Sequence, residues 1–534
     1  MTANKLQIYL VITGLVILSA CNNDPKPGDG TKPIPELSEE YFTGGVLGTD
    51  FEYNRSAFAY EQPTQSVIDG GFESDFLYGE DLFEGEFSTN LTGLRSGLGP
   101  VAVRSSCLAC HPNYGHGKRM ERYRANDTGN GYLLVVTDVN EGYIPTLTGM
   151  PQTMAVAPFL PPLDESGINI EWRQHIDQFG NTFPDGETYS LIYPEVTIEE
   201  WAFNVTIPDN IMRRESDNKI LARLEATIGI YGTGLIDAIP EDSILAQYYY
   251  AKSKGAILND SKYIVDHPDG KDADLDFPIG DDGKRHIGRY TYGLTRSTLQ
   301  NGPGSNAIWN ITNVTRPGRQ YHYITADYAT KMSEHPDVQQ ALLEGRLKWE
   351  GVTAETIKDS IYNYLTSTNL PVELSEKEYI QFMVWHRGLS VPAARDLDNP
   401  QVQRGRQLFR DMGCATCHRP SWTTGADDFS GDPKLNNKLP RYPNQKIWPY
   451  SDFLQHRLEM KNDIRTGWCR TTPLWGRGLS GEVTGANEHL HDMRARNYIE
   501  AIMWHGGDAA EHREKFYNLP KEDRDAVVKF LEAI

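Results

Sequence analysis

Two short stretches of this 534-residue chain pose a chemical question: Cys107-Leu-Ala-Cys110-His111 and Cys414-Ala-Thr-Cys417-His418. Each holds two thiols three residues apart with an imidazole directly after. With 6 Cys and 14 His in the whole chain, chance would produce Cys-x-x-Cys-His roughly 0.002 times, so two copies are not accidental. Three chemistries compete for them. A four-thiolate zinc site would use both pairs and leave each histidine without a role. A thioredoxin-like redox pair wants one motif in a βαβ setting, and neither pair has that setting. Covalent haem attachment accounts for the thiols, their spacing and the histidine together. Two cysteines three apart bring both sulfurs to one helical turn, in reach of the two vinyl groups of one porphyrin, and the adjacent imidazole turns to the iron as proximal ligand. The sequence therefore predicts two covalently bound haem c groups, one on Cys107, Cys110 and His111 and one on Cys414, Cys417 and His418.

The two remaining cysteines are Cys21 and Cys469. Before Cys21 stand Lys5, an apolar run from Ile8 to Ala20, and small residues. That run is too short for a membrane span, which needs about 20 residues. Leu18-Ser19-Ala20-Cys21 resembles the lipobox of bacterial lipoproteins, in which the cysteine is lipidated and becomes the new N-terminus. Residues 1–21 are thus expected to be a signal peptide with its lipidated cysteine. Residues 22–38, rich in Pro, Gly, Asp and Asn, are expected to be a flexible tether. The expected location is an exported bacterial lipoprotein, periplasmic or outer-membrane associated, that meets the membrane through its lipid only. Cys469 has no partner and reads as a buried structural thiol.

The net charge of −21 and pI near 5.1 exclude a nucleic-acid binder, which needs a basic surface. An acidic, soluble surface is the plain reading of that charge; docking of a small basic redox partner is the sharper one.

The elements around the motifs divide the chain. "NPQVQRGRQLFRDMGCATCH" follows a Pro-rich break and reads as a helix, with Val402, Leu408, Phe409 and Met412 on one apolar stripe. "LPKEDRDAVVKFLEAI" closes the chain: Pro520 suits a first turn, acids follow, and Val527, Val528, Leu531 and Ile534 share a face. A helix entering the motif and a terminal helix about a hundred residues later give the plan of a small cytochrome c domain, residues 396–534. The first domain, residues 39–395, is far longer than a cytochrome needs, and "SEKEYIQFMVWHRGLS" (375–390) reads as its closing helix. Its insertion contains a β-hairpin over 167–196, with strands on both sides of Pro184-Asp185-Gly186. Residues 218–249 read as mostly helical with a break at Gly232-Thr233-Gly234. No repeat is evident beyond the two motifs. The fold expected is mainly α: two cytochrome c-like haem domains, the first enlarged by an insertion with helices and a β-hairpin.

"GLGPVAVRSSCLACHPNYGHG", "GTGLIDAIPEDSIL", "RGRQLFRDMGCATCH", "YSDFLQHRL", "RTTPLWGRG" and "LHDMRARNYIEAIMWHGG" occur in that order. They resemble the landmarks of the di-haem oxidoreductases once labelled thiol oxidoreductases, relatives of bacterial di-haem cytochrome c peroxidases and of MauG-type enzymes. The resemblance spans nearly all of the chain after the tether. It implies that the first haem reacts with peroxide and that the second is low-spin and takes in electrons. In the peroxidase relatives the segment after a His-Asp-Gly turn supplies the sixth ligand of the second haem as Met or Tyr; the matching residue is His505. The sequence departs from the pattern at Met493, in place of glycine after His491-Asp492; at Cys469, where an aromatic is common; and at Asp508, in place of glutamate. The first departure leaves Met493 open as a competing ligand.

Each further candidate carries a structural alternative. His505 is a sixth ligand or a loop histidine; Met493 and Met503 are weaker ligand candidates or core residues. Arg470 pairs with a haem propionate or makes a surface salt bridge. His456, His491 and Asp492 line the haem edge or serve structural hydrogen bonds, and His116 reads as a flexible-loop histidine near the first haem. For the distal side of the first haem, Gln152, Glu165 and His175 follow the motif and spacing selects none of them. The leading function is reduction of hydrogen peroxide at the first haem, with electrons from a donor such as a small cytochrome or cupredoxin. A purely electron-transferring lipoprotein with both irons six-coordinate, and MauG-like oxidation of a protein or other organic substrate, are the alternatives. Peroxide or another oxidant is the expected small-molecule partner.

Overall fold

Helix α1 (Glu73–Glu84) runs toward the first motif, which begins at Cys107, and buries Phe76, Leu82 and Phe83. A four-stranded antiparallel sheet follows, built from β1 (Tyr132–Asp138), β2 (Ile168–His175), β3 (Leu191–Ile198) and β4 (Ile220–Ala226) in the order β1-β4-β3-β2. The structure, a computed structural model, describes residues 38–89, 97–125, 127, 129, 131–140, 142–208, 220–263, 285–299, 308–345, 351–429, 433–464 and 467–534. The signal peptide with Cys21 and nearly all of the tether expected from the sequence therefore lie outside the described residues. Residues 40–534 form one compact unit. No helix among the described residues is long and apolar enough to cross a membrane.

The hairpin expected on either side of Pro184-Asp185-Gly186 is present as β2 and β3, paired from Ile168↔Ile198 to His175↔Leu191. The helical expectation for 218–249 is corrected at its start. Residues 220–226 form β4, because Ile220, Ala222, Leu224 and Ala226 are buried with the period of two that a strand requires. β4 also pairs with β1 along its whole length, from Asp138↔Ile220 to Tyr132↔Ala226. Pairing overrides the helix propensity of Leu-Ala-Arg-Leu-Glu-Ala. The helices expected there begin after the Gly232 turn as α2 (Thr233–Asp237) and α3 (Glu241–Ser253). The middle of the chain is consequently mixed rather than mainly helical. The sheet's apolar face is covered by α4 (Ala326–Glu334) and α5 (Ile357–Leu365), through Tyr328, Met332, Ile357 and Ile361.

Helix α6 (Glu376–Arg387) is the closing helix expected at 375–390. Ser375 and Glu378 form a capping box that satisfies orphan amide groups at its start. Helix α7 (Pro400–Asp411) begins with Asn399 as cap and Pro400 in the first turn, and Val402, Leu408, Phe409 and Met412 are all buried as the stripe predicts. Strands β5 (Gln455–Arg457) and β6 (Trp468–Arg470) pair next, then helix α8 (Tyr498–Met503) and the terminal helix α9 (Lys521–Ala533). On α9 the buried face is Val527, Phe530 and Leu531, continued by Ile534, while Val528 is half-buried.

A repeat that the sequence reading misses now appears. In each half, the helix that precedes a Cys-x-x-Cys-His motif crosses a later helix through a glycine. A Cβ on Gly79 of α1 would lie 2.3 Å from the Gln381 carbonyl oxygen of α6. A Cβ on Gly405 of α7 would lie 1.8 Å from the Ala526 carbonyl oxygen of α9. Only a residue without Cβ lets the backbones approach so closely. The buried Arg387 then ties the halves together, its guanidinium ion-paired with Asp237 and Asp427.

Candidate functional site

Each motif sits on a tight turn at the mouth of a cavity. In the first, the backbone N–H groups of Cys110 and His111 both donate to the Cys107 carbonyl; in the second, His418 N–H donates to the Cys414 carbonyl. The turns place Cys107, Cys110 and His111 on the wall of one cavity, about 1120 Å³ with its mouth, and Cys414, Cys417 and His418 on another of about 1350 Å³. Each is lined mainly by apolar side chains around the two thiols and one imidazole of its motif, the donor set that a macrocycle attached through sulfur would need. The four motif cysteines and Cys469 are free thiols, and burial pushes Cys107 and Cys414 up to about 12.

Both motif histidines are anchored by the same device. His111 Nδ1 lies 2.9 Å from the Ile228 carbonyl oxygen, and His418 Nδ1 lies 3.1 Å from that of Tyr450. A ring nitrogen bonded to a carbonyl must carry the proton, so in each ring Nε2 keeps its lone pair for a metal. Burial lowers both imidazoles to about 4, which keeps them in the neutral form that metal ligation uses.

His505 joins His418 in the second cavity. It follows α8, and its Nδ1 lies 2.7 Å from the Ala501 carbonyl oxygen, so its Nε2 is also the free nitrogen. The His418 and His505 ring centres stand 6.4 Å apart. Metal–imidazole bonds are about 2 Å, so two rings on one ion stand about 6 Å apart centre to centre. Met493 and Met503 do not line this cavity: Met493 packs with the sheet core and Met503 with the α7–α9 core. Met412 and Met460 do line it.

Arg470 of β6 lines the same cavity, 3 % exposed. Its Nη1 donates to the Arg289 carbonyl at 2.8 Å, while its Nε has no partner. Among the described residues no carboxylate is ion-paired with it, and burial lowers it to about 10. A buried guanidinium without an acid suits a ligand that brings carboxylates of its own. The surface salt bridge that the sequence left open for Arg470 is excluded by this burial. His491 and Cys469 line the cavity together, with His491 Nδ1 3.7 Å from Cys469 Sγ; Asp492 turns away to Arg494, 2.8 Å from Nη2.

His456 of β5 meets Asp452 at 2.8 Å and lies 3.8 Å from Cys417 Sγ. Ligand atoms of Cys417, Asp452 and His456 fall within 4.8 Å of one another, close enough for a metal ion. A structural zinc site takes four donors; this trio supplies three and leaves Cys414 and His418 without a part, so the macrocycle fits the donor set better.

In the first cavity the structure brings in residues that the sequence reading did not single out. Glu225 of β4 is the one carboxylate among the described lining residues, joined by Arg296 and Asn310. His386 of α6 is also there, lowered to about 3 by burial, with Nε2 3.3 Å from Thr233 Oγ1. The three distal candidates from the sequence lie elsewhere. Gln152 donates to the Tyr323 carbonyl, Glu165 accepts from the Ala125 N–H at 2.6 Å, and His175 stacks on Trp504 at 4.9 Å. His116 lies in an irregular segment, as the sequence reading has it, but it is buried, its Nδ1 2.8 Å from the Gly117 carbonyl oxygen. The short Gly115-His116-Gly117 run hid that burial from sequence reasoning. Glu225 carried no signal in the sequence, because it falls out of phase with Ile220, Ala222, Leu224 and Ala226 on β4.

Residues 363–534 match the family model described as "Di-haem oxidoreductase, putative peroxidase". No curated protein matches the chain. Among solved structures the chain is similar to the diheme peroxidase BthA from Burkholderia thailandensis, at 13% identity and a TM-score of 0.22, over 47% of this chain and 66% of that one. The family implies two haems and oxidoreductase activity. Residues 363–534, which include the second motif, Arg470 and His505, match the di-haem oxidoreductase family model, and over that stretch the resemblance read from the sequence is borne out.

Proposed function

We propose that this protein is a c-type di-haem oxidoreductase that reduces hydrogen peroxide at a haem on Cys107, Cys110 and His111. Electrons enter through a second haem on Cys414, Cys417 and His418, with His505 as its sixth ligand and Arg470 on a propionate. The observation that carries this reading is the contrast between the cavities. In the second, two neutral imidazoles stand 6.4 Å apart with Nε2 of each free; in the first, the second imidazole, His386, has its Nε2 3.3 Å from Thr233 Oγ1, and Glu225, Arg296 and Asn310 line the wall beside His111. Two haems would suit this two-electron reduction of peroxide, since each could give one electron and hold one oxidising equivalent until the donor refills it. The chain's own part is to position peroxide and move its proton: the Glu225 carboxylate accepts a proton from one peroxide oxygen and returns it to the other. The two haem-bearing parts are residues 39–395 and 396–534. The net charge of −21 favours a small basic electron donor.

An electron paramagnetic resonance spectrum of the holoprotein tests the reading: one high-spin and one low-spin iron per chain are expected. Two low-spin irons that ignore peroxide would leave a purely electron-transferring protein instead. Acid–acetone extraction should leave two haems per chain on the protein, because both motifs are complete. Haem in the organic phase, or zinc by metal analysis, overturns covalent attachment.

The proposed location follows from Cys21. Cys21→Ser should move the protein from membrane to soluble fraction with its haem spectrum unchanged, because Cys21 belongs to neither Cys-x-x-Cys-His motif. Full membrane retention contradicts the lipid anchor.

A further inference from the structure

Asp452, His456 and Asp508 form a buried charged group against the second cavity that neither iron ligation nor propionate binding uses. His456 Nε2 lies 2.8 Å from Asp452 Oδ2, and Nδ1 lies 3.7 Å from Asp508 Oδ2 and 3.8 Å from Cys417 Sγ. Their side chains are 6%, 1% and 16% exposed in the order His456, Asp452, Asp508. Three separate parts of the chain supply them: the segment before β5, β5 itself, and the turn after α8. Asp452 is further fixed by the Leu454 N–H, which donates to its Oδ1 at 3.0 Å. Asp508 Oδ2 has no hydrogen bond, so it acts on the imidazole by charge.

A ring with a carboxylate near each nitrogen is held as a cation. The carboxylates outweigh burial, and His456 titrates well above the usual histidine range. Two carboxylates against one imidazolium leave the group net negative. In a poorly solvated site such a charge acts over several ångströms. Cys417 is the thiol through which the second porphyrin would join the chain, so the imidazolium touches the macrocycle's point of attachment.

We infer that the Asp452–His456–Asp508 group sets the reduction potential of the second haem through its net negative charge, as a positioning element that never touches the iron. The inference rests on the haem reading above. Negative charge beside a haem favours the oxidised iron and lowers its potential. The two kinds of group member must therefore act with opposite sign. Asp452→Asn and Asp508→Asn remove negative charge and should raise the potential of the second haem; His456→Gln removes the cation and should lower it. The first haem should not move in any variant.

The test is a spectroelectrochemical titration of the holoprotein and the three variants, with haem content measured alongside. The second haem is identified as the one lost from a Cys414→Ala, Cys417→Ala variant. Opposite shifts confined to that haem support the inference. Shifts of one sign in all variants mean that loosened packing has admitted water, and they overturn it, as do unmoved potentials or equal shifts in both haems. Should Asp452→Asn fail to fold, the more exposed Asp508→Asn carries the same required sign. A wild-type protein without covalent haem fails the haem reading instead, before any potential is measured.

Discussion

His505→Ala should turn the second iron from a six-coordinate, low-spin centre into one with an open position, with part of the low-spin resonance signal replaced by a high-spin one. The argument is geometric. His418 and His505 each spend Nδ1 on a backbone carbonyl, at 3.1 and 2.7 Å, and their ring centres stand 6.4 Å apart, about the spacing two imidazoles take on one ion. His505→Met keeps a ligand but exchanges nitrogen for sulfur, which raises the potential of a haem. A rise on the order of 0.1 V is expected for one haem, within the ~0.8 V that axial ligands span. The weak near-infrared band of Met–iron charge transfer should appear with it. On the electron route proposed above, in His505→Ala the first haem should keep its reaction with peroxide in a single turnover, while steady turnover should slow. If both spectra stay unchanged in His505→Ala, the ligand lies elsewhere. Met493, the competitor that the sequence left open, then gives way to Met460 or His491, because these line the second cavity and Met493 packs in the sheet core.

What was legible in the sequence was local. Cys-x-x-Cys-His is read from spacing alone, because both thiols and the imidazole serve one macrocycle. The stripe on α7 and the closing helix over 375–390 are likewise read from neighbouring residues. What escaped depends on distant partners. The stretch 220–226 reads as helix until β1 is available to pair with it. Gly79 and Gly405 are unremarked glycines in helical runs until the carbonyls of Gln381 and Ala526 are found pressed against them. Arg470 was open between a propionate and a surface ion pair, and its burial without an acid partner removes the second of these. His456 was legible as a landmark, yet its meaning comes from Asp508, brought to it by a turn that follows a different helix.

Glu225→Gln should abolish most of the peroxide reaction and leave the haem content and the second haem's spectrum intact. Cleavage of peroxide needs a group that takes a proton from one oxygen and delivers it to the other. Glu225 is the one carboxylate among the described residues lining the first cavity, 6% exposed on β4. Three residues later, the Ile228 carbonyl fixes His111, so the same strand end that orients the proximal ligand also presents the acid. Glutamine keeps the shape and hydrogen-bonding reach of the side chain but cannot exchange a proton. General acid–base groups contribute about 10²–10⁴-fold, so the second-order rate with peroxide should fall by at least about 10²-fold. Glu225→Asp shortens the reach yet keeps the chemistry, and should recover part of the rate. Stopped-flow mixing of the reduced protein with peroxide measures both variants. A glutamine variant as fast as wild type would remove Glu225 from the reaction and pass the proton to water or to another group of the cavity. A loss in Glu225→Gln with no recovery in Glu225→Asp, accompanied by a changed first-haem spectrum, would mark the residue as structural, because β4 then holds His111 differently.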